Sequence, residues 1–278
     1  MTRSPASGAD PRPVRVGVQI APQHAAYGDI RRTCATLEEM GVDLLLNWDH
    51  FFPLNRDVDG AHFECWTMLA AWAEATSRVE IGALVTASSF RNANLLADMA
   101  RTVDHISAGR LVLGIGSGWA ERDHVEYGYD YGTAGSRLDA FERDLVTIRA
   151  RWARLNPPPT RAIPILIGGG GERKTLRIVA EHADIWHFFG DAELIAHKHR
   201  VLDDWCARIG RDPLAIERSA GAAFKLGRDP DQSADYAANA AALHTVGTRL
   251  FTVNLQTANG DLGNVRDLLA WRDEVNRI

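Results

Sequence analysis

Short apolar runs alternate with longer helical runs eight times along this chain, each pair spanning about 30–35 residues, the size of a βαβ unit. The strand-like runs fall at residues 14–20, 43–48, 79–86, 110–116, 163–167, 184–189, 217–224 and 249–256. The helical runs follow at 30–40, 63–76, 92–106, 137–153, 172–182, 192–209, 230–243 and 263–276. The strand-like runs are apolar on both faces, as strands buried in a parallel sheet are. Gly41, Gly109 and Gly210 stand where glycine ends a helix. Eight units with no reversal signal predict an α/β fold closed into a (β/α)8 TIM barrel, rather than an open doubly wound sheet. The barrel is expected as a single domain over residues 14–278, with residues 1–13 a disordered tail.

Composition narrows the partners. The formal net charge is −5, which argues against nucleic acid, whose binders carry a basic stripe. It gives no sign of an anionic membrane surface either. Cys34, Cys65 and Cys206 are far apart and form no CxxC pair, so they read as free thiols in a reducing cytosol. The N-terminal segment lacks the apolar core of roughly 7–15 residues that a secretion signal needs. No apolar run approaches the ~20 residues of a membrane span. The expected location is the cytoplasm.

A barrel gathers its chemistry at the C-terminal ends of its strands. The second strand exits through Asp49-His50; a histidine there can exchange a proton near neutral pH, and the neighbouring aspartate can orient it or hold its charge. A surface loop pair is the plain alternative. The third strand exits through Thr86-Ala87-Ser88-Ser89, hydroxyls that suit a polar heterocycle or a helix cap equally. The fourth exits through Gly114-Ile115-Gly116-Ser117-Gly118, where glycines let backbone approach a ligand. The fifth exits through Gly168, Gly169, Gly170 and Gly171 into a helix with Arg173 and Lys174 at its start. Unpaired N–H groups and a helix dipole make an anion site there. The spacing is not that of a P-loop. Residues 118–135 break the rhythm and read as a long, lid-like loop. Trp186-His187-Phe188-Phe189 ends the sixth strand as a pocket wall or core, and His197-Lys198-His199 reads as a solvated helix face. No ligand spacing points to a catalytic metal.

Several blocks together resemble a known family. They are Leu46-Asn47-Trp48-Asp49-His50-Phe51-Phe52, residues 76–86, residues 104–119 and Ile163-Pro164-Ile165-Leu166-Ile167 with the four glycines behind it. In this order and spacing they resemble the luciferase-like (bacterial luciferase superfamily) flavin and deazaflavin oxidoreductases, in the coenzyme F420-dependent branch. The resemblance implies hydride transfer between a bound deazaflavin and a small organic substrate. It implies a non-prolyl cis peptide near Leu84-Val85 behind the ring, with Leu84, Val85 and Thr86 at the cofactor. Asp49 and His50 would lie near the reactive ring, with His50 as proton donor or orienting group. Gly116, Ser117 and Gly168–Gly171 would hold the phosphate, and Arg173 and Lys174 would meet the acidic tail. A separate reductase would regenerate the cofactor, and barrels of this size often pair as homodimers. Trp119 and Arg122 stand where the family's sugar-phosphate dehydrogenases carry Glu and Asn, which argues against that reaction. His187 replaces an Asn frequent after the sixth-strand Trp. Two other readings stay open: an FMN-dependent two-component monooxygenase, and a flavin-binding barrel without catalysis. A phosphosugar-processing barrel is more remote.

Overall fold

A computed structural model describes residues 10–222, 235–256 and 260–277. Its strands are β1 (Arg15–Ile20), β2 (Leu44–Asn47), β3 (Glu80–Ala83), β4 (Thr86–Ala87), β5 (Leu111–Gly116), β6 (Ile165–Gly168), β7 (Ile185–Phe188), β8 (Glu217–Gly221) and β9 (Leu250–Leu255). Every pairing among them is parallel, and β1 bonds to both β2 and β9. The ring closes where β5 bonds β3 at Ile81↔Leu111 and β4 at Thr86↔Ile115. The fold is thus the expected (β/α)8 barrel, with a third stave made of two pieces. Leu84 and Val85 lie between those pieces and are joined by a cis peptide, where the resemblance put one.

The divided stave explains a glycine. A Cβ on Gly114 would lie 1.7 Å from the carbonyl oxygen of Ala83. No side chain fits there, so this glycine serves strand packing rather than a ligand.

The helices are α1 (Tyr27–Glu39), α2 (Cys65–Ala75), α3 (Ala93–Ile106), α4 (Glu121–Glu126), α5 (Ala134–Trp152), α6 (Thr175–His182), α7 (Ala192–Ile209), α8 (Tyr236–Thr245) and α9 (Gly263–Val275). Most of the core lies between them and the barrel; Val16, Val18 and Ile20 of β1 are all wholly buried in it. A second cluster fills the barrel itself: Leu44, Leu46, Leu84, Val112, Leu166, Ile185 and Leu250. Two residues further along the same strand faces stand Gly114, Gly168, His187 and Thr252. The interior is therefore apolar below and small or polar above, which opens the upper end.

The lower end is sealed by charge. Arg15 pairs with Glu80 (2.7 Å) and Glu217 (2.6 Å), and Arg161 joins Glu80 at 2.9 Å. Arg110 donates to carbonyls of Ala73, Thr76 and Val79. The block at 104–110 that carried part of the resemblance is therefore a structural clasp at the barrel base.

Three local expectations change. Helix α6 begins at Thr175, not directly behind the glycines, because residues 172–174 form a turn first. The loop expected at 118–135 contains α4 and the start of α5, which Thr133 and Ser136 close with a capping box. His199 is buried rather than solvated, its Nδ1–H donating to the Val246 carbonyl at 2.8 Å. Of the expected tail, residues 1–9 lie outside the described residues, and the Asp10 carbonyl accepts from Arg249. The expected strand end at 223–224 and helix start at 230–234 also lie outside them. All three cysteines are free and buried. Among the described residues no helix is long and apolar enough to cross a membrane.

Candidate active site

A cavity of about 310 Å³ opens among the C-terminal ends of the strands. Of the residues singled out from sequence, Asp49, His50, Leu84, Val85, Gly116, Ser117, Gly168 and Gly169 line it. Thr86, Gly170 and Gly171 do not. Thr86 is buried behind the wall and accepts from Trp66 Nε1 at 3.2 Å. Gly170 packs under Phe188, whose ring would meet an added Cβ at 2.5 Å. Gly171 is exposed, just ahead of the 172–174 turn.

His50 and Asp49 are adjacent but have separate partners. His50 Nδ1 lies 2.5 Å from Asp123 Oδ2, and Asp123 Oδ1 accepts the Phe51 N–H at 3.0 Å. Burial works against the Asp123 carboxylate, but the bonds from His50 and Phe51 outweigh it and hold its pKa below the usual range. With Nδ1 so engaged, Nε2 is the His50 nitrogen left for a ligand. Asp49 instead takes both arms of Arg91, at 2.5 and 3.0 Å, and the Ala87 N–H at 3.1 Å. The orienting role expected of Asp49 thus falls geometrically to Asp123, while Asp49 anchors β4 to the β2 exit.

The segment read as a lid supplies the outer wall. Trp119 is 65% exposed, lines the cavity and meets the His50 ring edge-on at 5.4 Å. Phe51 stacks on Tyr127 at 3.9 Å and packs against Phe90 at 4.7 Å. Arg122 lies 3.9 Å over the Phe52 ring and pairs with Asp59 and Glu126. The β2 and β5 exits are therefore one packed unit. Ser89 O–H donates to His124 Nε2, whose Nδ1–H donates to the Ala120 carbonyl.

The glycine loop is partly engaged by the protein itself. Gly169 N–H donates to the His187 carbonyl at 3.1 Å, and Trp186 Nε1 donates to the Gly169 carbonyl at 2.8 Å. Lys174 pairs with Asp139 at 2.5 Å and reaches the Gly135 carbonyl; Arg173 is exposed.

Behind the Leu84–Val85 wall runs a directional chain of side-chain amides. Gln23 donates to Asn55, Asn55 to Gln256, Gln256 to Asn254, and Asn254 to Gln19, at 2.6–2.9 Å. Gln19 donates to the Leu84 carbonyl at 2.6 Å. Nothing in the sequence signalled this chain.

Burial leaves several histidines neutral. It depresses His199 to about 4 and His187 to about 3; His62, which accepts from Trp48 Nε1, falls to about 4, with burial the larger cause and His50 adding to it. Unfolded, each takes a proton near its ordinary 6.5. The unfolded chain therefore binds more protons below that point, and stability is full above pH 6.5 and drains as pH falls toward 4. Each fully buried histidine contributes at most about 1.4 kcal/mol per pH unit. Urea unfolding at pH 7 and pH 5 should show the loss, and His199→Gln should flatten it.

A model of the luciferase-like monooxygenase family matches residues 12–270. An F420-dependent glucose-6-phosphate dehydrogenase of Amycolatopsis mediterranei (strain U-32) is 27% identical over 189 residues, 61% of this chain and 54% of that protein. A phthiodiolone/phenolphthiodiolone dimycocerosates ketoreductase of Mycobacterium kansasii is 31% identical over 231 residues, 73% of this chain and 58% of that protein. The chain spans little more than half the length of these curated relatives. An F420-dependent secondary alcohol dehydrogenase, solved with an F420-acetone adduct, superposes with a TM-score of 0.79. It is 16% identical and covers 93% of this chain and 97% of that one, a likeness of fold.

Proposed function

Because the chain belongs to the luciferase-like monooxygenase family, we propose that it is a coenzyme F420-dependent oxidoreductase acting on a small organic substrate. The observation that carries this is His50, held by Asp123, set in the same cavity as the Leu84–Val85 wall. The names of the relatives favour F420 over FMN.

The residues present fit a flat cofactor. Gly116 and Gly168 bring bare backbone to the cavity, and His187 Nε2 is buried there without a partner among the described residues. When bound, the deazaflavin supplies or takes the hydride. Leu84 and Val85 form the wall for its ring, and the amide chain ending on the Leu84 carbonyl keeps that wall in place. Ser117 and the backbone of Gly168 hold its polar groups. His50 moves the proton that accompanies hydride transfer through Nε2, while Asp123 fixes the ring by Nδ1 and steadies its positive form. Trp119 covers the edge of the His50 ring at the cavity wall. The sugar-phosphate reaction of the named relative is not carried over, since Trp119 and Arg122 stand where such dehydrogenases carry Glu and Asn. A separate reductase restores the cofactor.

Titration of the purified protein with F420 and with FMN, each followed by fluorescence, tests the reading. F420 should bind at least about tenfold more tightly, a difference of ~1.4 kcal/mol. Tighter binding of FMN would replace this reading by that of a two-component monooxygenase, and binding of neither would overturn both.

A further inference from the structure

Buried polar atoms in folded proteins almost always find partners. In the cavity wall one nitrogen does not: His187 Nε2 is enclosed, and no described residue bonds to it. The rest of His187 is held. Nδ1 lies 2.8 Å from Ser219 Oγ, and the ring stands edge-on to Phe189 with centroids 4.7 Å apart. The backbone pairs with Gly168 on one side and Ser219 on the other. The imidazole cannot turn to another partner without losing these contacts, so Nε2 waits on whatever enters the cavity.

Placement says what enters. Val85 Cγ1 lies 3.2 Å from where a Gly168 Cβ would be, so only this glycine separates the Leu84–Val85 wall from the His187 strand. Burial keeps the imidazole neutral down to about pH 3, which offers an anion no charge. The Ser219 contact leaves both tautomers open. If Ser219 O–H donates to Nδ1, Nε2 carries a hydrogen and bonds a carbonyl. If Nδ1–H donates to Ser219, Nε2 accepts from an N–H. A pyrimidinedione edge, as in a flavin or deazaflavin, presents carbonyl and N–H side by side and satisfies either form.

We propose that His187 is a further cofactor-binding residue, whose Nε2 hydrogen-bonds the carbonyl and N–H edge of the bound deazaflavin ring. The inference rests on the F420 reading above. A ¹⁵N-labelled sample tests it, with the His187 ring resonances assigned against His187→Asn and followed as F420 is added. Nε2 should shift on binding. His187→Phe should weaken F420 binding about tenfold, the loss of one buried neutral hydrogen bond, and His187→Asn should restore part of it. If F420 binds and Nε2 does not move, the nitrogen is satisfied by buried water and the proposal falls while the F420 reading stands. If F420 does not bind the unaltered protein, both fall.

Discussion

Replacing His50 with alanine is expected to lower F420-dependent turnover by about 10²–10⁴-fold, the contribution of a positioned proton-transfer group. The fall should appear in kcat, with F420 affinity changed far less, because the imidazole acts on the proton and not on the grip of the cofactor. Asp123→Asn should give a smaller loss, about 10–100-fold. It keeps the shape of the Oδ1 bond to Phe51 N–H but removes the charge that His50 Nδ1 meets at 2.5 Å. Asp123 stays ionised throughout the neutral range, since its pKa is held below normal, so His50 meets a full negative charge between pH 6 and 8. Adding His50→Ala to Asp123→Asn should cost little beyond His50→Ala alone, because the carboxylate works through the imidazole. Single-turnover reoxidation of reduced F420, with any acceptor that supports the unaltered protein, provides the measurement. Full turnover in His50→Ala would remove His50 from the mechanism.

The pair explains what the sequence could and could not show. Strands were legible because parallel strands buried on both faces are continuous apolar runs, and runs such as Leu44–Asn47 and Ile165–Gly168 have no other use. His50 and the glycines at 116 and 168–169 were legible because a barrel places its chemistry at strand exits. Asp123 was not. It lies 73 residues from His50 on the six-residue α4, among Glu121, Arg122 and Glu126, where one carboxylate looks like the next. Asp49 drew attention by adjacency, yet its carboxylate is taken by Arg91 and the Ala87 N–H. Gly170 and Gly171 looked like anion ligands from composition, but one makes room for Phe188 and the other lies past the cavity. The amide chain depends on Gln19, Asn254 and Gln256 meeting across β1 and β9 with loop residues Gln23 and Asn55. Its members are polar residues with no periodic signature, so only the closed barrel brings them together.

Arg91→Met should destabilise the protein by about 3–5 kcal/mol, the cost of leaving one member of a buried ion pair alone. Asp49 is 2% exposed, and Arg91 supplies two of the three hydrogen bonds given to its carboxylate. Burial would draw the proton off Arg91, but the bond to Asp49 outweighs it and raises its pKa further. Methionine nearly fills the space of the arginine stem but leaves the carboxylate with only the Ala87 N–H. The double variant Arg91→Met/Asp49→Asn should recover most of the loss. An asparagine carbonyl can still accept from Ala87, and the uncompensated charge is gone. Urea unfolding at pH 7 compares the three proteins, with stability read from the midpoint at constant slope. An equal loss in single and double variants would mean that Arg91 acts through packing rather than by neutralising Asp49. The pair also fixes the cavity, since Ala87 and Asp49 both line it. The double variant should therefore bind F420 more weakly than its recovered stability alone would suggest, because β4 is then tied to the β2 exit by one neutral hydrogen bond in place of a clamp.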